Sequence, residues 1–132
     1  TMTKRFSNWK FPLIEEGKPN RYNWVVQNID GLILEKYTDI GAFTYINAKY
    51  GVTIRENVQV GSHCSIYSLS TIDDQKGSVI LENGCRIGTH STILPGVRIG
   101  ENSIVGAHSL VINDIPPNTL AFGIPAKVIR KL

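Results

Sequence analysis

Cysteine occurs twice and methionine once in this chain, and neither long apolar runs nor clustered charge of one sign appears. So few cysteines, with no export-signal pattern, argue against a disulfide framework and for a reducing, cytoplasmic setting. No apolar run approaches the length of a membrane span, so no membrane partner is expected. The formal charge of +3 comes from scattered basic residues, apart from short groups at Lys4-Arg5 and Arg130-Lys131. Nucleic acid would call for a stripe of Lys and Arg on one element, so none is expected as a partner. Against these shortages stand 12 glycines in 132 residues. They suit one modest domain with many turns and few long helices.

What is abundant is a rhythm. In "RIGTHSTILPGVRIGENSIVGAHSLVI", Arg86 to Ile112, an aliphatic residue returns at every sixth place: Ile87, Ile93, Ile99, Val105 and Val111. Followed upstream, the series takes in Leu34, Ile40, Ile46, Ile54, Val60, Ile66, Ile72 and Leu81, with extra residues near Tyr50-Gly51 and Asp74-Gly77. Neither a helix nor an isolated strand has this period; a hexapeptide-repeat parallel β-helix does. Two residues before most of these aliphatics lies a small residue, such as Cys64, Cys85, Ser91, Ser103 or Ser109. Side chains alternate along a strand, so both point inward and the residue between them points out. The remaining residues make a corner, as in Pro95-Gly96, Asn83-Gly84 and Glu101-Asn102, whose second member suits a positive φ. Three corners close a triangle. The series predicts an all-β domain of just over four coils, stacked roughly 4.8 Å apart.

Residues 1–30 lack the repeat and are expected to form an irregular cap over the first coil, whose open edge would otherwise invite pairing. Residues 31–116 are assigned to the β-helix. Pro116-Pro117 is expected to end the repeat, leaving 117–132 as a short arm or helix of the same domain. On the outside of the wall holding Ile93 and Val111 lie Thr92, Leu94, Leu110 and Ile112. An apolar patch there predicts a cyclic homo-oligomer joined through that face. Cys64 and Cys85 are read as inward neighbours on adjacent coils of one face, and as two buried thiols.

The repeat resembles that of the hexapeptide-repeat acyltransferases from about Leu34 to Val111, and the stretch "ILPGVRIGENSIVGAHSLVINDIPPNTLAFGIPAKVIRKL" resembles the closing coils of their sugar and xenobiotic acetyltransferase branch. That resemblance implies a left-handed parallel β-helix, a homotrimer, acetyl-CoA as co-substrate and a sugar acceptor such as a nucleotide-linked amino sugar. It further implies that Thr89 and Ala107 line the pantetheine arm. Gly123, Pro125, Lys127 and Arg130, in and after the G-x-P-A-K ending, would serve the coenzyme, with the two cations on its phosphates.

His63, His90 and His108 occupy the second corner position, in "GSH", "GTH" and "GAH". Histidine tolerates positive φ better than most residues, so backbone geometry alone accounts for it at that slot. Acetyl transfer needs a base, however, and a neutral imidazole serves near pH 7. Where the family commonly carries a catalytic histidine this chain reads "STIDDQKG", putting Asp74 in its place. The expected catalytic candidates are therefore His90, His63 and Asp74, with the choice among them open. No metal is expected: a hydratase like the γ-carbonic anhydrases needs two closely spaced histidines, and here the successive histidines stand 27 and 18 residues apart. A non-catalytic scaffold is the other alternative, and the G-x-P-A-K ending speaks against it.

Overall fold

In the computed structural model, which describes residues 6–132, each step of the repeat lays one short strand on a flat wall and then turns a corner. The first wall stacks Val25–Gln27, Tyr45–Asn47, Ser65–Tyr67, Thr92–Ile93 and Leu110–Val111 in parallel. The second stacks Leu32–Leu34, Val52–Ile54, Val79–Leu81 and Arg98–Ile99, extended by a bridge from Ile99 to Ile115. The third stacks Asp39–Ile40, Gln59–Val60, Arg86–Ile87, Ile104–Val105 and Thr119–Gly123.

Register turns the repeat into a core. Val26, Ile46, Ile66, Ile93 and Val111 stand one above another on the first wall, all fully buried. Leu34, Ile54, Leu81, Ile99 and Ile115 stack likewise on the second, and Ile40, Val60, Ile87, Val105 and Ala121 on the third, all buried except Leu34, which is half-buried. Burying each large aliphatic is worth about 1.5–3 kcal/mol. The small residue before a strand is often Ser or Thr because its buried hydroxyl has a partner: Thr44 donates to the Gly61 carbonyl, and Ser91 and Ser109 to that of Gly106.

The column is taller than the sequence reading, with five tiers. Val25–Gln27 lies inside the first tier and Thr119–Gly123 inside the last, so the coil runs past 31–116 at both ends. Pro116-Pro117 does not end the repeat but forms its next corner, where the missing N–H groups of proline cost nothing. Asn118, with φ +56°, takes the left-handed slot there. Ile72 is not a core position. The chain leaves the wall after Ser68, makes a hairpin of Leu69–Ser70 and Gln75–Lys76, and returns at Gly77, whose N–H donates to the Ser68 carbonyl. Ile72 sits on that excursion, 95% exposed.

At the top, residues 6–24 fold against the first tier. Phe6 and Trp24 are buried, the Trp9 indole donates to the Thr38 carbonyl, and Gly17 N–H donates to Val26 O on the outer edge of the first strand. Glu16 accepts from the amides of Ile29 and Asn28, which holds its carboxyl below the usual range. At the bottom, the expected arm or helix is instead a strand, Ala126–Lys131, returning antiparallel along Thr119–Gly123. The cysteines are also placed differently: Cys64 precedes a first-wall strand and Cys85 a third-wall strand, so they share no face, and both are free and buried. Burial pushes both thiols up.

Candidate functional site

One corner of the column, between the third wall and the first, carries the ring-bearing residues. There the chain repeats a Gly-x-ring turn four times: Gly41-Ala42-Phe43, Gly61-Ser62-His63, Gly88-Thr89-His90 and Gly106-Ala107-His108. All four ring residues have φ between +57° and +66°. That shared backbone aims their side chains the same way, and the tier spacing then sets the rings face to face. His63 and His90 stack with centroids 4.6 Å apart and planes 4° from parallel; His90 and His108 stack at 4.9 Å and 12°. Phe43 lies above His63 at 5.1 Å. The glycine opening each turn is required by close approach, since a Cβ on Gly88 would lie 2.5 Å from the Ala107 nitrogen and one on Gly61 2.6 Å from that of Thr89.

His63 thus joins His90 and His108 although it stands 27 positions before His90. The extra length is spent in the hairpin at the opposite edge of the first wall and leaves this corner in register. The hairpin carries Asp74, exposed and at φ +56°. The length of a wall strand, roughly 10 Å for three residues, lies between it and the histidines, so a single chain does not bring Asp74 together with His63 or His90.

His90 alone of the three has a side-chain hydrogen bond among the described residues. Its Nδ1 lies 2.9 Å from Thr89 Oγ1, which donates to the Ser62 carbonyl at 2.7 Å. Ser62 Oγ lies 3.2 Å from the same hydroxyl. Ser62 and Phe43 join the three histidines here, and the signal for both in the sequence is the recurrence of Gly-x-ring at the same slot.

Beside this corner runs a groove of about 520 Å³, lined by Gly61, Ser62, Gly88, Gly106, Ala107 and part of the third wall including Arg86. Thr89, Ala107 and the turn from Gly123 to Ala126 follow one another down the tiers. Gly123 N–H donates to Ser109 Oγ, and a Cβ on Gly106 would strike Phe122. Pro125 lies in that turn. Lys127 stands opposite Phe122 and Arg130 opposite Leu120, both exposed on the return strand. On the outside of the first wall, Leu94 and Leu110 are half-buried and Ile112 is exposed, forming one patch with Thr92.

A second corner, between the second and third walls, carries an axial charge ladder. Arg55 bridges Glu35 and Glu82, and Glu82 also holds Arg98. Surface pairs of this kind contribute about 0–1 kcal/mol each.

Comparison with known proteins fits this architecture. Residues 78–113 match the family model of the bacterial transferase hexapeptide (six repeats). The galactoside O-acetyltransferase of Escherichia coli K12 is 50% identical over 54 residues, which is 41% of this chain and 27% of that protein. A hexapeptide-repeat acetyltransferase of Vibrio cholerae, solved with acetyl coenzyme A, superposes with a TM-score of 0.78 at 26% identity, over 83% of this chain and 64% of that one. A variant N-acyltransferase of Bacillus cereus, solved with dTDP-4-amino-4,6-dideoxyglucose and coenzyme A, superposes with a TM-score of 0.59 at 25% identity, over 83% and 70%. The chain spans less than half the length of the curated relatives it matches. Five tiers of hexapeptide steps, a matching repeat model and these likenesses make the chain a hexapeptide-repeat, left-handed parallel β-helix similar to the acetyltransferases that carry the same repeat.

Proposed function

We propose that this protein transfers an acetyl group from acetyl-CoA to a hydroxyl or amino group of a sugar, with a nucleotide-linked amino sugar as the favoured acceptor. The observation that carries the reading is the side-chain-poor groove running beside the imidazole column, with the Gly123–Ala126 turn at the foot of that corner. An extended chain with two amides, such as pantetheine, suits a row of corner backbone groups much as a peptide suits a sheet edge. Thr89, Ala107, Gly123 and Pro125 would line it, and Lys127 and Arg130 would neutralise the coenzyme phosphates.

The chemistry needs one base. An imidazole Nε2 takes the proton from the acceptor O–H or N–H as that atom attacks the thioester carbonyl carbon. The C–S bond then breaks, and the same imidazole returns the proton to the coenzyme sulfur, giving an ester or amide and free thiol. Positioning supplies much of the remaining rate, and no covalent enzyme intermediate is required. His90 and His63 are the candidates at this corner. Asp74 serves only across a subunit boundary, where the patch of Leu94, Leu110 and Ile112 would join three copies. The galactoside O-acetyltransferase and the Bacillus cereus complex support a sugar acceptor.

Thermal unfolding with acetyl-CoA tests the coenzyme site. A ligand that binds only the folded form at a hundredfold excess over its Kd stabilises by about 2.7 kcal/mol and must raise the melting temperature. No shift at millimolar acetyl-CoA would leave a scaffold. Mass spectrometry of nucleotide sugars incubated with acetyl-CoA and the protein then identifies the acceptor by a gained acetyl group.

A further inference from the structure

We infer that Thr89 fixes the tautomer of His90, with the proton on Nδ1 and the lone pair on Nε2, and that His90 is therefore the base of this site. The assignment of the base rests on the acetyltransferase reading; the assignment of the tautomer does not.

A threonine hydroxyl has one proton to donate and two lone pairs to accept with. Thr89 Oγ1 lies 2.7 Å from the Ser62 carbonyl oxygen, a distance at which two oxygens need a proton between them. The carbonyl has none to give, and it already accepts the His90 amide at 3.1 Å. The Thr89 proton therefore lies toward Ser62. The remaining contact, from Thr89 Oγ1 to His90 Nδ1 at 2.9 Å, can be a hydrogen bond only if Nδ1 carries its own proton. A neutral imidazole has one N–H, so Nε2 is left as an acceptor. The Ser62 hydroxyl, 3.2 Å from Thr89 Oγ1, fits as a second donor to that oxygen, so every group in the cluster is satisfied.

Only the middle one of the three Gly-x-His turns has this arrangement. Before His108 stands Ala107, which has no hydroxyl, and before His63 stands Ser62, whose hydroxyl is directed to Thr89. His90 is also the only histidine packed on both faces by another imidazole. Its ring is held by stacking and by one hydrogen bond, with Nε2 at the exposed tip. A base must present a lone pair rather than an N–H to the acceptor, and of the candidates only His90 is locked in that form. Thr89 is a positioning residue: it acts through His90.

The test uses the full-length protein labelled with ¹⁵N, with the histidine ring nitrogens read by long-range proton–nitrogen correlation at a pH where the rings are neutral. The His90 signals, assigned by their loss in His90→Gln, should show a protonated Nδ1 and an unprotonated Nε2. Thr89→Val should move His90 toward the Nε2–H form, and Thr89→Ser should keep the wild-type pattern. An Nε2–H His90 in the wild type, or an unchanged pattern in Thr89→Val, overturns the tautomer assignment. With the acceptor in hand, His90→Gln should lower kcat at least about a hundredfold. Thr89→Val should lower it about tenfold or more, with a smaller change in KM for acetyl-CoA, and Thr89→Ser should restore it. Full turnover in His90→Gln overturns the base. Absence of transfer to any acceptor by the wild type overturns the acetyltransferase reading, while the nitrogen spectra decide the tautomer regardless.

Discussion

Replacing Gly88 by alanine should cost far more than replacing Gly96, although both are corner glycines. At Gly88 the backbone conformation is ordinary but the space is taken: the new methyl carbon would lie 2.5 Å from Ala107 N, 2.8 Å from Ala107 Cα and 2.8 Å from the Gly106 carbonyl carbon. Ordinary contact begins near 3.5 Å, so one tier must move by roughly 1 Å against the next. That displacement breaks bonds spanning the same gap, Gly88 N–H to Val105 O at 2.7 Å and His108 N–H to Thr89 O at 2.9 Å. Two lost bonds at about 1 kcal/mol each, with about 1–3 kcal/mol of overpacking strain, give about 3–5 kcal/mol. At Gly96 nothing lies within 4 Å of the added carbon, but φ is +85°. Only the left-handed penalty of about 1–2 kcal/mol applies there. For a chain of this size the melting temperature should fall by about 10–20 °C for Gly88→Ala and by about 5 °C for Gly96→Ala. Far-UV circular dichroism melts at one fixed protein concentration read this directly, since any assembly makes the midpoint concentration-dependent. If Gly88→Ala melts with or above Gly96→Ala, close approach between tiers is not what demands the glycine.

Ile93 is fully buried between Ile66 and Val111 on the first wall, so Ile93→Ala should lose about 2–5 kcal/mol in urea unfolding at unchanged m-value; a loss below about 1 kcal/mol would contradict the dry core. Burial disfavours the thiolates of Cys64 and Cys85, so the folded chain holds both protons more tightly than the unfolded one does. Stability should therefore be level below the ordinary thiol value of 9.0 and decline as pH rises past it. At pH 8 a disulfide reagent should leave both thiols untouched until denaturant is added, and rapid labelling of the folded protein would refute this. The proposed trimer through the first wall predicts a trimeric mass in light scattering that Leu94→Asp with Leu110→Asp reduces to a monomer; a monomeric wild type, or an unchanged mass in the variant, refutes it.

Much of this fold could be read in advance because its period belongs to the geometry. A residue that must face inward every sixth place leaves a trace no surface requirement erases, which is why Ile87, Ile93, Ile99, Val105 and Val111 mark three walls in the sequence alone. The trace failed where spacing changed. Val26 went unseen because the step to Leu34 holds two extra residues and a 3₁₀ turn at Ile29–Gly31; Ile115 went unseen because the step from Val111 is short. Ile72 deceived for the opposite reason, fitting the count while the chain was already away from the wall. The cysteines were assigned to one face through that same miscount. At the site, the ring slot was legible from "GTH" and "GAH", but the stacking of His63 was hidden by the hairpin's length. The proton arrangement among Ser62, Thr89 and His90 joins residues on different tiers, and no local pattern encodes it.

The hairpin at Leu69–Lys76 has a consequence for how such a column can diverge. Its two ends are pinched together by the bond from Gly77 N–H to Ser68 O, and Ile66 still stacks on Ile93 as though nothing intervened. Closing a longer excursion costs only about 0.6 kcal/mol for each doubling of its length, because the ends are already fixed by the neighbouring tiers. A corner is thus a port at which new sequence can be spliced without renegotiating the scaffold. The prism stays constant while what protrudes from its edge is free to change.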